Sequence, residues 1–157
     1  MEKNTIQPIA IRSRLTSISL DKFSVLELDK EQMELINVRT FAFEFNISLV
    51  FLDEQKSVKL ICSIKIFNSE QKELFLGEID SHAIFEIENF SEITPIKSQA
   101  TNVIIGVLGG TLLSTTRGFL YLKAEGTIIE GALLPIINLS AISAAQPIDK
   151  PISDKKN

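Results

Sequence analysis

A strict alternation of apolar and polar positions marks the first half of the chain. Every odd position from 41 to 51 is apolar, and so is every even position from 58 to 66. A period of two is typical of a β-strand with one buried face. The polar stretches 53–56 and 69–72 are predicted to be turns that connect these strands to a further one.

Two less regular runs complete the predicted sheet. In residues 7–20 the apolar positions change from odd to even numbers, which indicates a strand with a bulge or a bend. Residues 73–90 are predicted to be a strand interrupted at Gly77 and at the polar residues 80–82. Residues 21–40 mix charged and apolar residues, and we interpret them as a connection with one helical turn. The pattern predicts four strands in one antiparallel sheet.

After Pro95 the apolar period becomes that of a helix. Spacings of three and four residues are typical of one helix face. The predicted stripe consists of Ile104, Leu108, Leu112, Thr115, Phe119 and Leu122. Gly126 follows the predicted helix, as a glycine at a helix C-terminus commonly does. Strands followed by a helix predict an α+β fold.

The rest of the chain is predicted to be extended and then flexible. Residues 128–142 are apolar but contain Pro135, which favours an extended loop over a second helix. Residues 146–157 combine two prolines with charge and are predicted to be a flexible tail. Residues 1–145 then form a single domain.

The predicted helix is compatible with two environments, a membrane and the interior of an assembly. Residues 98–116 include no charged side chain, and nineteen residues are about enough to span a bilayer. Its mainly apolar part covers only 103–113, so we expect no membrane span and a helix buried between subunits. Gly106, Gly109 and Gly110 each cost about 1 kcal/mol relative to alanine inside a helix, so we expect another backbone to approach closely there.

Composition and charge exclude several functional classes. The 157 residues carry a net charge of −4 without a basic cluster, so we expect no nucleic-acid binding. Cys62 is the only cysteine, which excludes an internal disulfide. Residues 1–20 lack the uninterrupted apolar run of a signal peptide, and we expect a cytoplasmic protein.

Few side chains offer catalytic chemistry. His82 is the only histidine, and without Cys, His or Asp at ligand spacing we expect a turn or strand-edge residue rather than a base or a metal ligand. Cys62 lies on the apolar face of its strand and is expected to be a small core residue rather than a nucleophile. The glycines of 106–111 lack the lysine of a phosphate-binding loop. We predict no enzyme, no catalytic residue, no metal and no cofactor.

Several short stretches occur in the order found in one family. They are ISLD at 18–21, LFLGEIDSHAIFEI at 74–87, RG at 117–118, GT at 126–127 and LPIIN at 134–138. With four strands, a long helix and an apolar proline-bearing segment, the chain resembles the SecB protein-export chaperones. The resemblance covers roughly residues 9–142. The order of the matches, rather than any one of them, carries it.

The resemblance implies a fold, an assembly and an activity. SecB proteins are cytosolic homotetramers, built as dimers of dimers, in which the long helices pack between the sheets. They hold unfolded precursor proteins in exposed apolar grooves and deliver them to the SecA motor through an acidic face of the sheet. The resemblance therefore implies a SecB-like four-stranded antiparallel sheet followed by a long helix, in an oligomer.

The resemblance also implies positions for these functions. Asp21, Leu76 and Glu78 match positions of the motor-binding face, whereas Ser17 occupies a further position that is acidic in the family. The client groove is expected to include Ile84, Phe85, Leu134 and Ile136. The oligomer helix is expected to use Ile104, Leu108, Gly109, Gly110 and Leu112.

Two departures from the family pattern keep a second hypothesis open. The sequence IGVLG stands where the family has an aromatic helix start, and the proline-containing stretch 144–151 leaves little room for a helix covering the groove. The first hypothesis is a SecB-like chaperone or secretion adaptor. The second is an interaction protein of the same fold dedicated to one partner, such as a toxin–antitoxin component. An enzyme or small-ligand binder is the third.

Overall fold

The computed structural model describes residues 9–35, 40–70 and 74–139. The described strands are β1 (Ser13–Val25), β2 (Phe41–Leu52), β3 (Ser57–Asn68) and β4 (Phe75–Ile87). The described helices are α1 (Lys30–Leu35), α2 (Phe90–Ile93) and α3 (Lys97–Ala124), with short 3-10 turns at Asp53–Gln55 and Thr94–Ile96. Strands followed by a long helix confirm the predicted α+β class.

The four strands form one antiparallel sheet in the order β1-β4-β3-β2. β3 and β4 are central, with Ile64 opposite Ile79, and β2 pairs with β3 so that Ile47 lies opposite Cys62. α3 packs across one face of this sheet and contacts all four strands. The sheet therefore has one face that is buried by α3 and one face, here called the open face, that points away from it.

Alternation places the core on the buried face, as predicted. Val58, Leu60, Cys62, Ile64 and Ile66 are fully buried along β3. Fully burying an aliphatic side chain contributes about 1.5–3 kcal/mol. A shift of one residue in register would turn the whole set toward solvent, so this row also fixes the pairing of β3 with its neighbours.

β1 contains the predicted irregularity and extends further than predicted. Its register against β4 shifts between Leu15 and Ser17 and again between Leu20 and Lys22. Each extra residue reverses the alternation, so the apolar positions change parity twice. The second shift makes the strand pattern look broken near residue 21. This is why residues up to Val25, which we interpreted as a connection, belong to the strand.

β4 runs without the predicted break at residues 80–82. Ser81 is fully buried and faces α3, while Asp80 and His82 on either side of it point to the open face. Residues 80–82 are therefore part of a regularly alternating strand, in which the polar residue Ser81 occupies an inward-facing position. His82 lies in a central strand, which corrects the prediction of a turn or edge residue.

Gly77 allows β1 to approach β4 closely. A Cβ atom at this position would lie 2.6 Å from the backbone oxygen of Ser24. The pairing of β3 with β4 is also irregular here, since Ile66 pairs with Gly77 and Phe67 with Phe75. The predicted bulge at Gly77 is thereby confirmed.

α3 buries a stripe that partly differs from the predicted one. Ile104, Leu108 and Leu112 are buried as predicted. Beyond them the buried positions are Leu113, Thr116, Leu120 and Ala124, whereas Leu122 is 69% exposed. The stripe continues in steps of four, which exceed one turn of 3.6 residues, so it winds around the helix. The helix ends at Ala124, and Gly126 follows with φ +72° as predicted.

The chain then returns along α3. Residues 132–138 have no regular secondary structure, as predicted, whereas residues 128–131, predicted as part of the same extended loop, form hydrogen-bonded turns. We call residues 125–139 the return segment. Arg117 on α3 fixes it, because Nε donates to the carbonyl of Leu134 at 3.1 Å and a terminal nitrogen donates to the carbonyl of Pro135 at 2.8 Å. The predicted tail and any helix beyond the return segment lie outside the described residues.

Candidate functional site

Asp21 on the open face is paired with His82. It lies at the second irregularity of β1, and both of its carboxylate oxygens are 2.7 Å from Nδ1 of His82 on β4. The His82 side chain is only 17% exposed, so the pair joins the edge strand to a central strand in a half-buried setting. His82 is therefore the partner of Asp21, for which the resemblance implied a place on a motor-binding face.

Glu78 on the same face is paired as well. Its carboxylate forms an ion pair with Lys22 and accepts a hydrogen bond from the Ser24 hydroxyl at 3.2 Å. The hydrogen bond from Lys22 lowers the pKa of Glu78, and the charge of Lys65 acts in the same direction. Glu78 and Asp21 thus both have partners within the chain, so neither of these two carboxylates stands alone on the open face.

Leu76 does not lie on this face. It is fully buried, at the place where the pairing of β3 with β4 slips by one residue. The prediction that Leu76 contacts a partner together with Asp21 and Glu78 is not met in the structure of this chain. The sequence match was correct by residue type, but the bulge decides which way the side chain points.

The predicted client-groove residues do not come together on one surface. Phe85 and Leu134 are 3% and 4% exposed and belong to the core. Ile84 is half-buried and lies on the opposite face of β4 from Phe85. Of the four, only Ile136 is a large exposed apolar side chain, at 94%. Phe85 and Leu134 are therefore corrected from groove to core, because strand alternation and the Arg117 hydrogen bonds turn them inward.

Exposed apolar side chains concentrate on α3 and the return segment. Among the described residues the most exposed are Val107 at 59%, Tyr121 at 67%, Leu122 at 69%, Leu133 at 62% and Ile136 at 94%. Sequence reasoning identified only Ile136 among them. The missed signal was alternation in the return segment, where buried Ala132 and Leu134 flank exposed Leu133.

The solvent-facing side of α3 carries no charge over several turns. Val107, Gly110, Ser114, Gly118 and Tyr121 are all exposed and recur at spacings of three and four. We call these five residues the outer stripe. Solvent-facing helix surfaces usually carry charged residues, so this one is unusually suited to contact with another apolar surface.

The predicted oligomer residues are mostly used within the chain. Ile104, Leu108 and Leu112 pack in the core beneath α3. A Cβ at Gly109 would lie 2.7 Å from the Cδ1 of Leu139, so a side chain of the same chain, and not another backbone, approaches there. A Cβ at Gly110 would meet no atom of the described residues within 4 Å. Only Gly110 of this set remains available to a second chain.

Cys62 lies beside a buried pair of hydroxyls. Thr116 donates to the carbonyl of Leu112 at 2.8 Å, so the 2.5 Å contact between Thr116 and Ser81 has Ser81 as the donor. Burial raises the pKa of the Cys62 thiol to about 11. The thiol is protonated at neutral pH, which confirms Cys62 as a core residue.

Within the described ranges, no group of three or more His, Cys, Asp and Glu residues is placed to hold a metal ion.

α2 and α3 form a nearly continuous helical segment, Phe90–Ala124, that is long and apolar enough to cross a membrane. In this structure 39% of its most apolar part is buried inside the chain, against the sheet. Core helices of soluble proteins have the same features, so length and composition alone do not assign it.

A cavity of about 340 Å³ lies at the C-terminal end of α3. It is lined by Tyr121, Leu122, Ala124, Glu125, Glu130, Gly131 and Ala132. Its wall therefore combines two exposed apolar side chains of α3 with two carboxylates from the turns that follow.

The comparisons with known proteins are distant. No protein-family model and no curated protein matches the sequence. Among solved structures, the chain is similar to a SecB-like chaperone of Mycobacterium tuberculosis in complex with a ChAD peptide from the HigA1 antitoxin, with 14% identity, TM-score 0.48, and 80% of this chain and 84% of that chain covered.

A second similar structure is a Streptococcus agalactiae protein of unknown function, with 15% identity, TM-score 0.40, and 82% of this chain and 100% of that chain covered. At these scores neither structure carries an argument about function.

Proposed function

We propose that this protein binds extended segments of other polypeptides, as a chaperone or secretion adaptor of the SecB type. The observation that carries the proposal is the exposure of Leu133 and Ile136 on a segment that Arg117 fixes to α3. Large apolar side chains held in place at the surface indicate an interaction site. Within the described residues no metal-binding group competes with this interpretation.

The binding free energy would come from burial of apolar side chains and from backbone hydrogen bonds at a sheet edge. Covering a side chain such as Ile136 contributes up to about 1.5–3 kcal/mol, so several such contacts are needed to offset the entropic cost of association. β2 is also an edge strand of the sheet. An edge strand can accept the backbone of an extended client by β-augmentation. Both contributions tolerate many client sequences, as a chaperone for unfolded precursors requires.

The proposal includes a homo-oligomer, with a tetramer built as a dimer of dimers as the expected form. The outer stripe supports it, because a helix face with Gly110, Ser114 and Gly118 allows another helix to approach closely. Exposure of Val107 and Tyr121 at the two ends of the stripe would be relieved by such a contact.

The proposal also includes delivery of bound clients to a SecA-type motor in the cytoplasm. With Leu76 in the core, such a contact on the open face would depend on Asp21 and Glu78. Because Glu78 is paired with Lys22 and Asp21 contacts His82, motor binding would require exchange of those contacts. It is therefore expected to be weak and dependent on salt.

The test is suppression of aggregation of a chemically denatured precursor. Ile136→Ser should reduce suppression without changing the fold, since the side chain is 94% exposed. The matched control is Phe75→Ser, which removes an apolar side chain that is 38% exposed on the central strand β4, away from the edge at β2. No suppression by the wild-type protein in clear excess over the client would reject the chaperone proposal. Tight capture of one folded partner instead would favour the dedicated-interaction alternative.

A further inference from the structure

Four neighbouring residues of the open face place one positive charge among apolar side chains. Lys59 on β3 lies directly opposite Val50 of β2 and Ile84 of β4, and Ile61 is the next residue of β3 on the same face. Val50 is 44% exposed, and the other three are half-buried. We call Val50, Lys59, Ile61 and Ile84 the Lys59 surface. It lies on the side of the sheet that points away from α3, and so away from the proposed polypeptide site.

The charge of Lys59 is not paired within the part of the chain that the structure describes. No carboxylate of the described residues forms an ion pair with it. The other cations that the strands place on the open face each have a carboxylate beside them: Arg14 pairs with Glu86, Lys22 pairs with Glu78, and Lys65 lies opposite Glu44. Lys59 is therefore the cation of this face that is available to a carboxylate of another molecule.

The apolar neighbours of Lys59 make its charge selective. Val50 and Ile84 stand on either side of it, so a partner that covers them also excludes water from the ammonium group. An ion pair becomes stronger as water is excluded, because the local dielectric constant falls. A charged group covered without a partner is costly. The Lys59 surface therefore favours a partner that presents a carboxylate between apolar side chains.

The strand pairing favours a helix as that partner. β3 and β4 are central strands whose backbone groups pair within the sheet, so an extended segment lying on this face would find no backbone hydrogen bonds there. A helix satisfies its own backbone groups. Val50 and Ile84 are two strands apart, or about 10 Å, and helix positions i and i+7 are also about 10 Å apart. These positions can cover the two apolar side chains while i+3 or i+4 reaches Lys59.

We propose that the Lys59 surface binds an amphipathic helix of another protein that carries aspartate or glutamate between apolar residues. This surface goes beyond the proposed function, since it and the polypeptide site lie on opposite sides of the sheet and can be occupied together. It also differs from the motor-binding positions that the resemblance implies. Glu78 lies six positions from Ile84 along β4, or about 20 Å, and has the opposite charge to Lys59.

The experiment uses capped helical peptides rich in alanine and glutamine, with leucine at i, i+4 and i+7 and with glutamate, glutamine or lysine at i+3. Binding is followed at low salt by NMR of the valine and isoleucine methyl groups of the whole protein. The signals of Val50, Ile61 and Ile84 should shift when the glutamate peptide is added. This peptide should bind up to about fivefold more tightly than the glutamine peptide. The lysine peptide should bind more weakly than both, and added salt should remove the differences.

The variant Lys59→Met should abolish the preference for glutamate while binding of the glutamine peptide is kept, because methionine retains an apolar stem without the charge. The matched control is Lys65→Met, which removes a lysine from the same strand and face that lies opposite Glu44, and it should leave the preference unchanged. Val50→Thr should weaken binding of all three peptides alike, since threonine keeps the branched shape but removes apolar surface. Lys59→Met should suppress aggregation as well as the wild-type protein does, so this test is separate from that of the proposed function.

Equal binding of the glutamate and glutamine peptides would overturn the inference, and so would a preference for glutamate that survives in Lys59→Met. Methyl shifts confined to α3 and the return segment would place the peptides at the polypeptide site and would also overturn it. Shifts of Val50 and Ile84 that follow protein concentration without any peptide would show a second copy of the chain on this surface in place of a partner helix.

Discussion

A methyl group added at Gly109 would lie 2.7 Å from the Cδ1 atom of Leu139. Leu139 is 5% exposed, so the returning chain seats a buried side chain directly on the helix backbone. The neighbouring Gly110 faces open space. Two consecutive glycines in one helix therefore differ in what they contact, and the difference can be measured.

We expect Gly110→Ala to stabilise the isolated chain by about 1 kcal/mol, because alanine has the higher helix propensity and meets no neighbour. Gly109→Ala gains the same propensity but displaces Leu139. Overpacking costs about 1–3 kcal/mol, so the net effect should be neutral or destabilising. Urea unfolding of both variants gives the comparison.

A double-mutant cycle identifies the cause. In a Leu139→Ala background the clash is removed, and Gly109→Ala should then recover the full gain of about 1 kcal/mol. If Gly109→Ala has the same effect in both backgrounds, Leu139 is not the residue that makes Gly109 necessary.

The outer stripe predicts assembly of the protein. Gly110→Leu should lower the mass measured by light scattering, since it fills the position where another helix would approach most closely. The control is Ser98→Leu, which is exposed on a different side of α3. A monomeric wild-type protein at micromolar concentration would contradict the oligomer, and an assembly unaffected by Gly110→Leu would exclude the stripe as its interface.

Arg117 is predicted to hold the return segment in place. Arg117→Met keeps much of the side-chain stem but removes both hydrogen bonds to the carbonyls of Leu134 and Pro135. Each hydrogen bond to a charged group contributes about 1.5–3 kcal/mol to the stability of a folded protein. Because Arg117 is only partly buried, we expect a total loss near 2 kcal/mol.

Hydrogen exchange provides the local measurement for Arg117. Exchange should accelerate in residues 132–139 while the sheet amides keep their protection. Arg117→Lys is the control, because lysine keeps the charge but lacks the forked donor geometry. Uniform acceleration across the whole chain would show a global loss of stability rather than release of this segment.

The raised pKa of the buried Cys62 thiol predicts a loss of stability at alkaline pH. Burial raises its pKa from 9.0 to about 11, so the unfolded chain loses the thiol proton at lower pH than the folded chain. The free energy of unfolding does not depend on this thiol below about pH 9, and it decreases as the pH rises from there to about 11. Two pKa units correspond to about 2–3 kcal/mol.

Unfolding in urea as a function of pH measures this effect, with Cys62→Ala as the control. The variant should lack the alkaline decrease assigned to the thiol, although it also loses some core packing at every pH. At pH 8 the native thiol should react with a disulfide reagent only as fast as the protein opens. Rapid reaction under native conditions would contradict the buried placement.

The elements of this fold were largely predictable because its strands alternate so regularly. β2 and β3 could be located from period alone, and the end of α3 from Gly126. β1 and β4 were harder, since two bulges in β1, one in β4 and the inward Ser81 break the period without ending either strand. A local pattern cannot separate a bulge from a strand end, because the distinction depends on pairing with a neighbouring strand.

The candidate site was less predictable than the fold. The sequence alone determined that α3 is apolar, that Cys62 faces the core, and that the chain offers few catalytic groups. Only the tertiary structure decided that Leu76 and Phe85 are buried and that Asp21 is paired with His82. It also separated Gly109 from Gly110. Periodicity assigns a residue to one face of its own element, but exposure depends on which other elements cover that face.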